Sequence, residues 1–187
     1  MTPPLRISTA RLDLVAATAV LARAAADDPA RFAEILNARL PPSWPPSVLL
    51  DVQELFAAQL EKGAAIPGWW AWYAILREGA LVVGSAGFAA PPDEIGTITL
   101  GYSIAGGYEG RGLASELVEG LLQWAAATGR VARVYATTFE RHFASIRVLE
   151  KNGFVWRGIS SEDAGASDED RQGRGALMLY VREMRES

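Results

Sequence analysis

The stretch LGYSIAGGYEGRGLASELVEGLLQWAAA, Leu100 to Ala127, limits the fold more than any other part of the chain. An apolar, β-prone run passes through a glycine-rich turn straight into an amphipathic helix. That helix places Leu113, Leu117, Val118, Leu121, Leu122 and Ala125 on one face, which needs a sheet or another helix to cover it. Strand, glycine turn and helix N-terminus in that order form a phosphate cradle. The first N–H groups of a helix lack intrahelical partners and carry partial positive charge. Glycines let the backbone adopt positive φ and approach a ligand closely.

Composition narrows the function classes. At 187 residues the chain suits a single domain, expected to span 1–187. A net charge of −4 argues against nucleic acid as a partner, since such partners need a basic face. With no cysteine, disulfides, thiolate metal sites and a cysteine nucleophile are excluded, and a single histidine disfavours a histidine metal centre. No metal is therefore expected. No apolar run reaches the about 18 residues of a membrane helix, and the opening MTPPLRISTARLDL has no apolar signal core. A cytoplasmic protein with no membrane partner is the expectation.

Along the chain, alternation predicts a first strand over 10–15. Thr18 is placed to cap a helix running to about Ala26, and Asp28-Pro29 to open a second one, with Phe32, Ile35 and Leu36 on one face. The proline cluster around Trp44 breaks regular structure, and a helix is predicted over 48–62. Segments 69–76, 81–88 and 97–104 read as an antiparallel meander, whose exposed edge could support a homodimer. After the glycine-turn helix, which Gly129 ends, come a strand over 131–137, a helix over 142–152 closed by Asn152-Gly153, and strands over 154–159 and 175–184. The intervening segment 160–174 is polar and acidic and is expected to be a loop.

Phosphate-binding templates test the glycine turn. A P-loop fails because no Gly-Lys-Ser/Thr occurs. A dinucleotide fingerprint fits poorly: Ser115 stands at the third glycine, no acidic residue ends the next strand, and the motif does not open its domain.

The segment GYSIAGGYEGRGLASE (101–116) resembles the acyl-CoA-binding motif of the GNAT N-acetyltransferases. ASIRVLEKNGF (144–154) resembles the next helix and strand of that superfamily, and STARLDL (8–14) resembles the first strand of its branch of ribosomal-protein N-terminal acetyltransferases. The resemblance implies an α/β (α+β) fold: a GNAT-like mixed, splayed β-sheet of about seven strands flanked by helices, with CoA in the gap. It implies that backbone groups at Ser103 and Ile104 face the pantetheine arm. The N–H groups of Glu109, Gly110, Arg111, Gly112, Leu113 and Ala114 would hold the pyrophosphate. His142 and Ser145 would also contact the cofactor.

The implied reaction is direct transfer of an acetyl group from acetyl-CoA, as co-substrate, to a primary amine: a protein N-terminus, an amino acid or a small amine. Ser145 is the expected proton donor, with His142 or Glu94 relaying a base through water. Three positions depart from the family pattern. Gly107 replaces a side chain of the loop, Thr99 replaces a strand glutamate, and His142 replaces an asparagine. These departures support an alternative, a catalytically weak or inactive CoA-binding regulatory module.

Overall fold

The computed structural model describes residues 4–62, 68–163 and 172–184, without the side chains of residues 47, 48, 50 and 51. The elements run β1 (Arg6–Ser8), β2 (Leu12–Ala16), α1 (Ala19–Asp27), α2 (Pro29–Leu36), α3 (Ser47–Glu61), β3 (Ala71–Leu76), β4 (Leu81–Phe88) and β5 (Thr97–Ile104). They continue with α4 (Leu113–Ala127), β6 (Arg133–Phe139), α5 (Phe143–Lys151), β7 (Val155–Ile159) and β8 (Leu177–Glu183). One sheet carries all eight described strands in the order β1-β2-β3-β4-β5-β6-β8-β7, flanked by the five helices. The mixed α/β expectation holds, with one strand more than the about seven expected. The addition is β1, which at three residues is too short to register as a periodic pattern. Much of the expected 160–174 loop, residues 164–171, lies outside the described residues.

Local signals account for the helix starts. The Thr18 hydroxyl accepts from the Leu21 N–H, and the Asp28 carboxylate accepts from the Arg31 N–H with Pro29 at the first helical position. Strand periodicity then builds two cores. Leu12, Leu14, Trp72, Ala74 and Val83 face α4, with Leu113, Leu117, Val118, Leu121, Leu122 and Ala125. Their sequence neighbours Val15, Tyr73, Ile75 and Val82 face the opposite way, onto Leu21, Phe32 and Leu36 of α1 and α2. The indole of Trp44 stacks on Phe32 at 5.8 Å and meets Tyr73 edge-on at 6.3 Å, so the proline-rich loop is pinned into this second core. Trp69 and Trp72 are core residues packed on Trp124.

All strand pairs are antiparallel except β5 with β6, which α4 joins as a crossover. That parallel pair spans only Thr97↔Arg133, Ile98↔Val134 and Thr99↔Tyr135. Beyond Thr99, β5 stays paired with β4 through Ile104. Beyond Tyr135, β6 stays paired with β8 through Phe139. The two central strands therefore part, and the sheet opens as a V with its apex at Thr99 and Tyr135.

Candidate active site

The glycine turn lies at the mouth of the V, and its conformation is over-determined by hydrogen bonds. The Tyr108 N–H donates to the Ala105 carbonyl at 3.1 Å, and the Gly107 N–H donates to the Glu109 carboxylate at 2.8 Å. Arg111 donates to the Gly107 carbonyl at 3.0 Å while its guanidinium lies 5.2 Å over the Tyr108 ring. Gly110 and Gly112 adopt φ of 73° and 77°, left-handed values that disfavour other residues, and Gly112 is the N-cap of α4. Among the described residues, no protein acceptor faces the N–H groups of Glu109, Gly110, Arg111, Gly112, Leu113, Ala114 or Ser115. A Cβ added at Gly107 or Gly110 would meet nothing within 4 Å. Unpaired amides beside open space at a helix N-terminus fit an anionic diphosphate.

Two remote segments brace this turn. The Ser43 hydroxyl donates to the Gly106 carbonyl at 2.8 Å, joining the Trp44 loop to it. From the β1–β2 turn, Arg11 donates to the Arg111 carbonyl at 3.0 Å and pairs with Glu116 in the first turn of α4 at 2.7 Å. The same carboxylate accepts from the Arg11 N–H and the Thr9 hydroxyl, each at 2.6 Å. Partial burial acts to raise the Glu116 pKa, but these donors together outweigh it and hold the carboxyl below its ordinary value.

At the other side of the opening, α5 presents Ser145 from its first turn. The Ser145 Oγ lies 2.8 Å from the Tyr102 Oη, and the phenol also donates to the Ser145 carbonyl at 3.1 Å. Tyr102 sits on β5 past the apex, and α5 follows the end of β6, so this contact bridges the parted strands. Burial pushes the Tyr102 phenol up to about 12, against a smaller lowering by its bond to Ser145. Sequence reasoning passed over Tyr102. A signal was present: Ile98, Leu100, Tyr102 and Ile104 alternate onto the core face, and a phenol on a core face needs a hydrogen-bond partner.

The other expected site residues are placed as follows. Ser103 and Ile104 end β5 beside the glycine turn, half-buried. His142 is exposed at the N-cap of α5, and its side chain makes no capping bond. Glu94 is exposed in the turn before β5, at the closed end of the V. Eight residues of extended strand, Thr97–Ile104, run from there to the mouth, a span of about 25 Å. The fold thus gathers Ser103, Ile104, the glycine turn, His142 and Ser145 around one opening and leaves Glu94 outside it. Thr99 is exposed at the apex, where no carboxylate side chain stands on either paired strand residue. Among the described residues, no three His, Asp or Glu side chains cluster as metal ligands.

Known proteins resemble this chain in sequence and in fold. The family model described as an acetyltransferase (GNAT) domain matches residues 13–155. An uncharacterized N-acetyltransferase, YjdG of Bacillus subtilis (strain 168), is 29% identical over 119 residues, 64% of this chain and 71% of that protein. In fold, the chain is similar to ribosomal-protein-S5-alanine acetyltransferase from Vibrio fischeri, with a TM-score of 0.64 at 15% identity, covering 97% of this chain and 98% of that one. It is also similar to RimL, a ribosomal L7/L12 α-N-protein acetyltransferase, in complex with coenzyme A. The TM-score is 0.63 at 18% identity, covering 98% of this chain and 100% of that one.

Proposed function

The chain belongs to the GNAT acetyltransferase family and is an acyltransferase, and from that premise we propose that it transfers acetyl from acetyl-CoA directly to a primary amine. The observation that carries this reading is the V itself: parted β5 and β6, with unpaired amides from Glu109 to Ser115 on one side and the Ser145–Tyr102 pair on the other. The amides would hold the pyrophosphate, and the ends of β5 at Ser103 and Ile104 would lie along the pantetheine arm. Acetyl-CoA supplies the activated acetyl thioester. A thiol of pKa about 8.5 is a far better leaving group than a hydroxyl, so Ser145 needs only to hydrogen-bond the departing sulfur.

The acceptor must arrive as a free amine. In this reading His142, exposed at the N-cap of α5, would take up its proton through water. Protein N-termini fit this demand well, because an α-amino group has a pKa of about 7.7–8.0 and is substantially neutral near pH 8. We further propose that residues 1–187 act as one domain in the cytoplasm; no helix among the described residues is long and apolar enough to cross a membrane. A homodimer through the sheet edge is also proposed, although the outermost strand of the meander side is the short β1 rather than β2. Light scattering on the purified protein checks it.

A second reading is favoured by one observation. Thr99 leaves the apex of the V without a carboxylate base, as expected of a CoA-binding regulatory module with little turnover. Thiol release from acetyl-CoA, followed across N-terminal peptides, amino acids and polyamines, separates the two. Release with at least one amine class supports transfer; CoA binding by calorimetry without release across the panel supports the module. Ser145→Ala is expected to lower turnover about tenfold, the scale of one hydrogen bond made in the transition state. The KM for acetyl-CoA, whose thioester carries no thiolate, should stay within about twofold of the parent.

A further inference from the structure

We propose that Tyr102 is a positioning residue that arms the Ser145 hydroxyl, the two acting as a donor pair aimed at the departing sulfur; this rests on the acetyl-CoA reading above. The pair shares two protons among three oxygens. Tyr102 Oη faces two oxygens of one residue, Ser145 Oγ at 2.8 Å and the Ser145 carbonyl at 3.1 Å, and has one proton to give. The serine hydroxyl also has one. When the phenol donates to the carbonyl, the serine proton returns to the phenol oxygen and is occupied. When the phenol donates to Oγ, the serine proton is free to turn into the gap between β5 and β6.

Passing from one arrangement to the other takes only rotation of two hydroxyl protons, with no movement of heavy atoms. Negative charge growing on a sulfur in the gap favours the second, since bonds to charged acceptors are the stronger ones. The pair is therefore a preset device, idle without developing charge and active with it. Burial keeps the phenol neutral, as a donor requires.

The step balances without ionising either residue. The amine nitrogen bonds to the acetyl carbon, the C–S bond breaks, and its electron pair stays on sulfur. The surplus proton on nitrogen leaves to water, and the thiolate, held meanwhile by the Ser145 O–H, is protonated from water. Tyr102 and Ser145 end as they began.

The test uses Tyr102→Phe, which keeps the ring, together with Ser145→Ala and the double variant. Turnover of Tyr102→Phe should fall up to about tenfold, with the KM for acetyl-CoA within about twofold. In the Ser145→Ala background, the same change should cost nothing further. Full activity in Tyr102→Phe, or losses that multiply in the double variant, would overturn the proposal. A second readout needs no turnover: at pH 9, calorimetry compares CoA with desulfo-CoA. The parent should prefer CoA, and both single variants should lose that preference. Equal affinities in the parent would overturn the donor pair while leaving the cofactor reading intact. If the parent binds neither ligand, the cofactor reading fails and the proposal with it.

Discussion

Tyr102 and Ser145 are separated by 43 positions in the chain and by 2.8 Å between their hydroxyl oxygens. At this scale, chemistry depends on which atoms a side chain can share, and the glycine turn shows the same dependence through its backbone. Gly110 has φ of 73° and faces open space, so a side chain there meets no protein atom yet must adopt a left-handed backbone. Gly110→Val is expected to destabilise the fold by about 1–2 kcal/mol. Its larger effect should be on CoA, where calorimetry should show affinity reduced by at least tenfold as the added side chain occupies the anion path. Unchanged affinity would mean the turn has been given the wrong ligand. The phenol of Tyr102 should remain protonated across ordinary assay pH, because burial raises it to about 12. Parent and Tyr102→Phe should therefore share one pH–rate shape below about pH 10, the ordinary tyrosine value, differing only in height.

Between elements, the bond that most shapes the site is the one from the β1–β2 turn to α4. Glu116 collects the Arg11 guanidinium, the Arg11 N–H and the Thr9 hydroxyl, and Arg11 reaches on to the Arg111 carbonyl. The folded carboxyl lies below its ordinary pKa, so its stabilisation is fully present above the unfolded value of about 4.3 and is lost as pH falls through the folded one. Glu116→Gln should thus lower the melting temperature at pH 7, and the gap to the parent should narrow below pH 4. A gap that stays constant with pH would show that the charge contributes nothing. Close packing of α4 on the first strands is set by Gly120, where an added Cβ would approach Thr9 Cγ2 to 2.8 Å and Leu14 Cδ1 to 3.2 Å. Gly120→Val is expected to cost about 1–3 kcal/mol in urea denaturation, although it replaces a glycine in a helix interior. A neutral result would show that α4 can shift outward.

The described residues form one sheet with a core on each face, and β3 is buried on both sides. Its alternating side chains link the cores, Trp72 and Ala74 to one, Tyr73 and Ile75 to the other. If the chain is one domain, both cores should melt together. Leu121→Ala on the α4 side should cost about 2–5 kcal/mol and Phe32→Ala on the other about 3–5 kcal/mol. Both should shift one common transition, seen alike by tryptophan fluorescence and far-UV circular dichroism. Two resolved transitions in either variant would divide the chain into separately folding halves.

Legibility followed chain distance. The Thr18 and Asp28 caps, the apolar face of α4 and the order strand, glycine turn, helix were readable because each is settled within a few turns or one strand. β1 escaped notice because three residues carry no period. Glu94 was a reasonable candidate base by proximity in sequence to β5, but strand direction carries it to the closed end of the sheet. Arg11 could not be assigned a partner beforehand, because its contact with Glu116 spans 105 positions and depends on how α4 settles across the sheet.

Contiguous motifs were enough to identify the family and to single out the glycine turn, since their backbone preferences are local. Where β5 and β6 part, which tyrosine reaches Ser145 and what braces the turn came from the folded arrangement alone. Those features arise from register and packing between segments far apart in the chain, and no local preference specifies them.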